Sequence, residues 1–475
     1  MNLPNLTEAR IRTKNKVEIK RNDYIIPDNI KNIGKDKTYC IYTYGCQMNV
    51  HDSENISAIM EDMKYNRVSD MDDANVIILN TCAIRENAHN KVMGMLGRIK
   101  HLKETKKDII TIFCGCMAQE EGISNELKEK YKWVDIVMGT HNIHKLPQYM
   151  ENIQKTNKQD IEVFSIEGDI IEGLPVKRDS HITAWVNIMY GCDEFCTYCI
   201  VPYTRGKERS RDPEDIIKEV EGLVNDGYVE VTLLGQNVNA YGKDLDINYN
   251  MANLLEDVAK TNIERVRFVT SHPWDFADDM LEVISKYKNI MPYIHLPLQS
   301  GSTSILKKMG RRYTKEEYKT LFYKIKEMIP NVSITTDIIV GFPGETDEDF
   351  EDTIELAEEL KFDLAYTFIY SPREGTPASI MKDETSMDTK KQRLARLNEI
   401  INETANLNNQ KYLNEIVPVL IEGKSDKEDK YMGYTDTMKL VNVDCDEKYL
   451  GKIVNVKITG VKTWSLDGEV VNDRK

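Results

Sequence analysis

Three of the nine cysteines in this 475-residue chain, Cys192, Cys196 and Cys199, fall within eight residues at C-x3-C-x2-C spacing. So short a stretch can wrap all three thiols around one soft metal centre. A free cysteine behaves as a small buried hydrophobe and has no reason of its own to cluster. A structural zinc site closes with four protein ligands, and no second Cys pair or Cys/His pair lies nearby. Three thiolates suit a four-iron, four-sulfur (4Fe-4S) cluster, which then keeps one iron open for a further ligand. A zinc loop, or a loop of buried thiols, is the alternative.

Both sides of the triplet read as α/β. Residues 1–36 are polar, rich in Lys and Asn and without period, so they form an extension that is mobile or draped on the surface. From Thr38 apolar runs rich in Ile, Val and Thr alternate with helical patterns, the signature of a parallel sheet. The strands expected are 38–46, 74–82, 109–116 and 133–139, with helices over 52–64 and 85–103. The first three strands end in Cys46, Cys82 and Cys116, which are 36 and 34 residues apart, about one βα unit each. Ligands bind at the carboxyl ends of strands in open parallel sheets. Three thiols delivered there could hold a second cluster, although each taken singly reads as core. Cys40 and Cys445 read as structural, Cys114 lies two residues from Cys116, and His141/His144 form an isolated pair that reads as surface or capping.

A charged connection follows, and a second series starts at Ala184 with six strand candidates: 184–190, 230–236, 265–271, 293–299, 333–341 and 364–370. Helices are expected over 213–226, 251–261, 275–286, 314–328 and 345–360, and a long helix over 387–413 reads as leaving the barrel. Six such units make a partial barrel, whose site lies at the carboxyl ends of its strands. Those ends carry Gln236-Asn237, Ser271-His272, Gln299-Ser300 and the Gly341–Glu345 turn, and the Cys triplet opens onto the same face. From Glu415 short alternating runs separated by Gly423, Gly433 and Gly451 read as a small antiparallel barrel. The domains expected are 37–155, 181–410 and 411–475, with a linker over 156–180.

Composition narrows the class of partner. The net charge of −15 argues against a nonspecific nucleic-acid coat but leaves local basic patches open. The first twenty residues are polar, no apolar run approaches a membrane span, and nine thiols without an export signal point to a reducing cytoplasm.

With all three parts in view, the chain after residue 37 resembles the radical S-adenosylmethionine (SAM) methylthiotransferases. The aromatic Tyr198 before the last Cys of the triplet, Tyr44-Gly-Cys-Gln-Met-Asn49, Asp52-Ser-Glu54, Asn80-Thr-Cys-Ala-Ile-Arg-Glu86 and Gly115-Cys-Met-Ala-Gln119 carry the likeness. Gly139–His144, Ala184–Met189 and Ile200–Arg211 bring it closest to the branch acting on N6-dimethylallyladenosine in tRNA, and Gly433–Lys439 is similar to a TRAM domain. The resemblance implies a catalytic cluster on Cys192, Cys196 and Cys199, and an auxiliary 4Fe-4S cluster on Cys46, Cys82 and Cys116 as sulfur source. It also implies SAM contacts from Gln236, Asn237, Ser271, His272, Gln299, Ser300, Gly341 and Glu345, and a flavodoxin-type electron donor. The expected reaction is methylthiolation at carbon 2 of the prenylated adenosine 37, using two SAM. Arg205, Lys207, Arg209 and Arg211 put four cations in seven residues, a candidate contact for anticodon-loop phosphates. Two other readings stand: a relative acting on threonylcarbamoyladenosine, and a noncatalytic metal-cluster RNA-binding protein.

Overall fold

The computed structural model describes residues 21–83, 86–156, 158–163, 170–426 and 430–471. Residues 1–20 of the polar extension, and the middle of the expected linker at 164–169, lie outside the described residues. The rest of the extension is held down rather than mobile. Strand β1 (Arg21–Asp23) pairs in parallel with β8 (Ile170–Glu172), and Ile30 is fully buried.

The N-terminal unit is a six-stranded, all-parallel sheet. It contains β2 (Thr38–Thr43), β3 (Asn66–Arg67), β4 (Val76–Thr81), β5 (Ile110–Gly115), β6 (Ile136–Met138) and β7 (Asp160–Glu162), in the order β3-β2-β4-β5-β6-β7. The four strands expected from sequence are the inner ones, while the two edge strands are too short to show a pattern. Because helices cover both faces, the strands alternate between two apolar cores. Ile78, Ile112 and Ile136 point to one, and Ile77, Leu79, Phe113 and Val137 to the other. Each such side chain contributes about 1.5–3 kcal/mol by leaving water. Cys40 and Cys114 are members of these cores.

The central unit has the six parallel strands expected. They are β9 (Thr183–Asn187), β12 (Glu230–Leu234) and β13 (Arg265–Phe268), then β14 (Tyr293–His295), β15 (Ser333–Val340) and β16 (Leu364–Ile369). A parallel bridge, Val266 to Ile290, links the halves β9-β12-β13 and β14-β15-β16. A short hairpin of β10 (Met189–Tyr190) and β11 (Arg209–Ser210) brackets the Cys loop. The helix Met387–Gln410 does not leave the barrel. Leu397 and Ile401 are buried in the barrel core, and Asn408 donates to the carbonyls of Lys361 and Phe362. Its apolar stripe needs a face to cover, and the helices outside β15 and β16 supply one.

The C-terminal unit closes as a five-stranded barrel of β17 (Ile416–Lys424), β18 (Tyr431–Thr435), β19 (Leu440–Asp444), β20 (Ile453–Val461) and β21 (Leu466–Val470), ordered β17-β18-β19-β21-β20. Closure is not purely antiparallel, because β19 and β21 run parallel. Gly433 is no turn but the middle of β18, where a Cβ would lie 2.1 Å from the Leu420 carbonyl oxygen. Arg265, at the start of β13, fastens this barrel under the central one by donating to the carbonyls of Tyr434 and Pro418. Among the described residues no helix is long and apolar enough to cross a membrane.

Candidate active site

Six thiols stand at carboxyl ends of strands in two neighbouring units. In the N-terminal sheet, Cys46 caps the helix Gln47–Asp62, Cys82 follows β4, and Cys116 opens a short turn after β5. Parallel register sets them side by side, and the loops are closed tightly between them. At Gly45, φ +137°, a Cβ would lie 2.6 Å from Cys82 Cβ, so only glycine lets the two thiol-bearing loops meet. Below them Asn49 donates to Asn80 Oδ1 and the Thr81 carbonyl, while Asn80 donates to the Asn49 carbonyl and Ser53 Oγ. This buried, reciprocal network ties the ends of β2 and β4, and the Thr81 hydroxyl extends it to β5 by donating to the Cys114 carbonyl. Cys114 faces away into the core, 3.5 Å from the Leu79 carbonyl.

The loop triad is positioned differently. Gly191, φ +76°, turns the chain where a Cβ would strike the Lys207 carbonyl oxygen at 1.9 Å. The Cys192 amide donates to Gly206, Cys199 to Cys196, and Thr197 to Met309. Tyr198, the aromatic residue before the last thiol, is half-buried and packs edge-on against Phe342. Phe342 in the Gly-Phe-Pro-Gly turn is thus a floor for the Cys loop. Burial pushes the Cys199 thiol up to about 12, with Cys196 adding to it, and raises Cys192 well above the ordinary thiol range. Burial likewise lifts Cys116 to about 12, Arg205 offsetting this and Cys82 and Cys46 reinforcing it. Thiols close enough to raise a neighbour share a site with it, and metal binding would replace their protons. Among the described residues no three ligating side chains are close enough to hold a single metal ion.

Segment 200–211 joins the two sites. Ile200 and Tyr203 pack on Ala83 and Cys116, and the Thr140 hydroxyl donates to the Thr204 carbonyl. The expected phosphate-binding cations are mostly consumed inside this joint, which corrects that reading. Arg205 is buried, donating through Nη2 to Asp52 at 2.5 Å and through Nε to Cys116 Sγ at 3.3 Å. Arg209 is buried against the Tyr190 ring and donates to the Arg205 carbonyl, and Arg211 pairs with Glu219. Lys207 is half-buried. A buried guanidinium needs its carboxylate and carbonyl partners, so two of these charges have left the surface. His141 and His144, expected in a surface or capping role, line a small cleft of about 50 Å³ here with Asp52, Asn55, Arg205 and Arg209.

The barrel-mouth residues divide in two. Gln236 accepts from the Gly191 amide beside Cys192, and Asn237 donates to Asp275. Four buried polar atoms there have no hydrogen-bond partner among the described residues: Gln236 Nε2, Asn237 Oδ1, Ser271 Oγ and His272 Nε2. Burial, then Arg311, Arg312 and Lys243, lower His272 to about 2, so its ring stays neutral. Gln299, Ser300, Gly341 and Glu345, also expected at SAM, make contacts within the scaffold. Ser300 lies against Thr353, and Glu345 accepts from the Gly341 amide and from Arg393. The Gly341 turn is roofed by the Lys390 stem. Gln299, φ +69°, is buried and bridges to β15.

Comparisons with known proteins agree with this architecture. The model of the radical SAM superfamily matches residues 186–357, that of uncharacterized protein family UPF0004 residues 38–139, and that of the TRAM domain residues 410–471. A tRNA-2-methylthio-N(6)-dimethylallyladenosine synthase of Bacillus cytotoxicus is 54% identical over 99% of this chain and 92% of its own. The protein of that name from Bacillus subtilis is 53% identical over the same shares. The chain belongs to the radical-SAM tRNA methylthiotransferases. Among solved structures, the radical SAM methyltransferase TsrM from Kitasatospora setae, with cobalamin and a [4Fe-4S] cluster bound, shares the fold. Its TM-score is 0.53 at 14% identity, covering 72% of this chain and 77% of that one.

The residues fit the groups this family carries. Three neighbouring thiols on one loop suit a 4Fe-4S cluster with an open iron. The four unpartnered polar atoms beside it suit the amine, carboxylate and ribose of SAM. Sequence reasoning missed Arg311, buried and donating to Cys196 Sγ at 3.3 Å, and the Arg205–Asp52 pair. The signal for the latter was the helix Gln47–Asp62, whose polar residues Asn49, His51, Asp52, Ser53, Glu54 and Asn55 are all buried.

Proposed function

We propose that the enzyme converts N6-dimethylallyladenosine at position 37 of tRNA to its 2-methylthio derivative, with a second 4Fe-4S cluster on Cys46, Cys82 and Cys116. One observation carries this: two cysteine triads, each at the carboxyl edge of a parallel sheet, meet across segment 200–211. When bound, SAM and the clusters would supply the radical that removes hydrogen from an unactivated C–H bond, the sulfur, and the methyl group.

The chain's own residues bind, orient and exclude water. Gln236, Asn237, Ser271 and His272 hold the methionine and ribose ends of SAM, and neutral His272 adds no competing cation. Inside the barrel, β16 alternates. Ala365 and Ile369 join or pack on the core under the helices, while Tyr366 and Phe368, 47% and 46% exposed, face inward. Tyr366 lies beside His295, and Trp185 stands under Arg267. Such aromatics stack a base splayed from a single-stranded anticodon loop, and they bury its prenyl chain at about 0.8 kcal/mol per CH₂. A reduced flavodoxin-type protein in the cytoplasm would be the electron donor.

The test is the purified, reconstituted enzyme with SAM, reductant and tRNA whose adenosine 37 is dimethylallylated, threonylcarbamoylated or unmodified, the nucleosides then being weighed by mass spectrometry. The methylthio product is expected from dimethylallyl tRNA alone. Preferred turnover of threonylcarbamoylated tRNA would move the enzyme to the sister branch. Zinc in place of about eight iron per chain would leave a binding protein.

A further inference from the structure

A buried arginine reaches a sulfur at each cysteine site, but the two differ in counter-charge. Arg311 donates to Cys196 Sγ at 3.3 Å, and its other partners are neutral: the Tyr313 hydroxyl and the Pro297 carbonyl. Arg205 donates to Cys116 Sγ at the same distance, yet its Nη2 is bound to Asp52, with both side chains under 8% exposed. Arg311 thus brings a cation to its thiol, whereas Arg205 brings one half of an ion pair. Hydrogen bonds and charge at ligand sulfurs set the potential of iron–sulfur clusters, because they stabilise the electron-rich reduced state.

We propose that Arg205 and Asp52 act as a positioning pair that sets the reduction potential of the cluster on the strand triad, Arg205 raising it and Asp52 holding that rise in check. The inference rests on the reading of Cys116 as a cluster ligand. Arg205 acts through its hydrogen bond to Cys116 Sγ, and Asp52 only through Arg205. The same pair fixes segment 200–211 against the N-terminal sheet, so a purely structural role has to be told apart by sign.

The experiment is a redox titration followed by electron paramagnetic resonance. It uses full-length reconstituted protein in which Cys192, Cys196 and Cys199 are Ala, leaving one cluster. Arg205→Gln should shift its midpoint down, Asp52→Asn should shift it up, and the double variant should fall between them, near the parent. Loss of structure alone would move both single variants the same way or only lower their iron content. Arg205→Gln strands a buried carboxylate and is the variant at risk of not folding. Asp52→Asn keeps an acceptor oxygen for the Arg205 guanidinium, and an unshifted midpoint there, with iron content intact, overturns the inference. Cys116→Ala is measured alongside. If it keeps its iron, the ligand reading has failed, and the inference falls with it.

Discussion

The two cysteine triads solve one problem by opposite means. Cys192, Cys196 and Cys199 sit on one loop, and their geometry is set mainly within its own hairpin by amide hydrogen bonds to Gly206 and Cys196, with one anchor from the Thr197 amide to Met309. Cys46, Cys82 and Cys116 are far apart in sequence and owe their meeting to the register of β2, β4 and β5. A loop site depends on its turn residues; a strand site depends on the sheet and on whatever ties the strand ends. The strand ends also carry the more elaborate polar support, with Asn49, Asn80, Ser53 and Asp52 all buried.

The sharpest way to break this comparison is to remove thiols from each triad in turn. Cys192→Ala, Cys196→Ala or Cys199→Ala should abolish reductive SAM cleavage and all product. Cys46→Ala, Cys82→Ala or Cys116→Ala should leave SAM cleavage within a few-fold while the methylthio product falls below detection. Product from any of the latter three would end the division of labour. Cys114→Ala should retain both activities, since its thiol faces the core.

How legible each triad was follows from the same contrast. Spacing alone announces the loop triad, because its ligands are neighbours in the chain. The strand triad showed only as a recurrence of about one βα unit, which parallel strands make meaningful. What escaped were contacts between units. Arg205 read as one of four surface cations, because spacing carries no record of Asp52, 153 residues away in sequence. Gly433 read as a turn because a glycine that lets two strands approach looks, in sequence, like one that turns a chain. The edge strands Asn66–Arg67 and Asp160–Glu162 are too short for any period to show.

Two substitutions sharpen the comparison with intermediate effects. Asn80→Ala removes the two hydrogen bonds its amide donates and the oxygen that Asn49 Nδ2 donates to, all within the buried strand-end network. A cost of about 2–3 kcal/mol is expected, seen as a lower melting temperature and about half the iron per chain, with SAM cleavage kept. Full iron loading would mean that register alone holds the strand triad. Phe368→Ala touches neither triad. It should raise KM for a prenylated anticodon stem-loop about tenfold, the order of one lost base–aromatic stack, while SAM cleavage without RNA stays unchanged. An unaltered KM would remove β16 from the substrate wall.

The smallest expected effect lies at the rim of the strand triad. Glu120, just after the Cys116 turn, is raised to about 7, chiefly by burial, with Arg373 pulling it down and Glu374 pushing it up. A carboxyl whose folded value lies above its unfolded one binds its proton more tightly in the native state. Stability is therefore lost as pH climbs from the ordinary glutamate range toward 7, and is flat above it. Arg373 and Glu374 belong to the loop after β16, so the slope reports on how the N-terminal sheet meets the central barrel. Glu120→Gln should remove it, leaving the iron-free variant about 1–2 °C more stable than the parent at pH 8 and no different at pH 5. Identical melting curves at both values would show that the rim carboxyl is solvated, and that the joint between the triads rests on segment 200–211 alone.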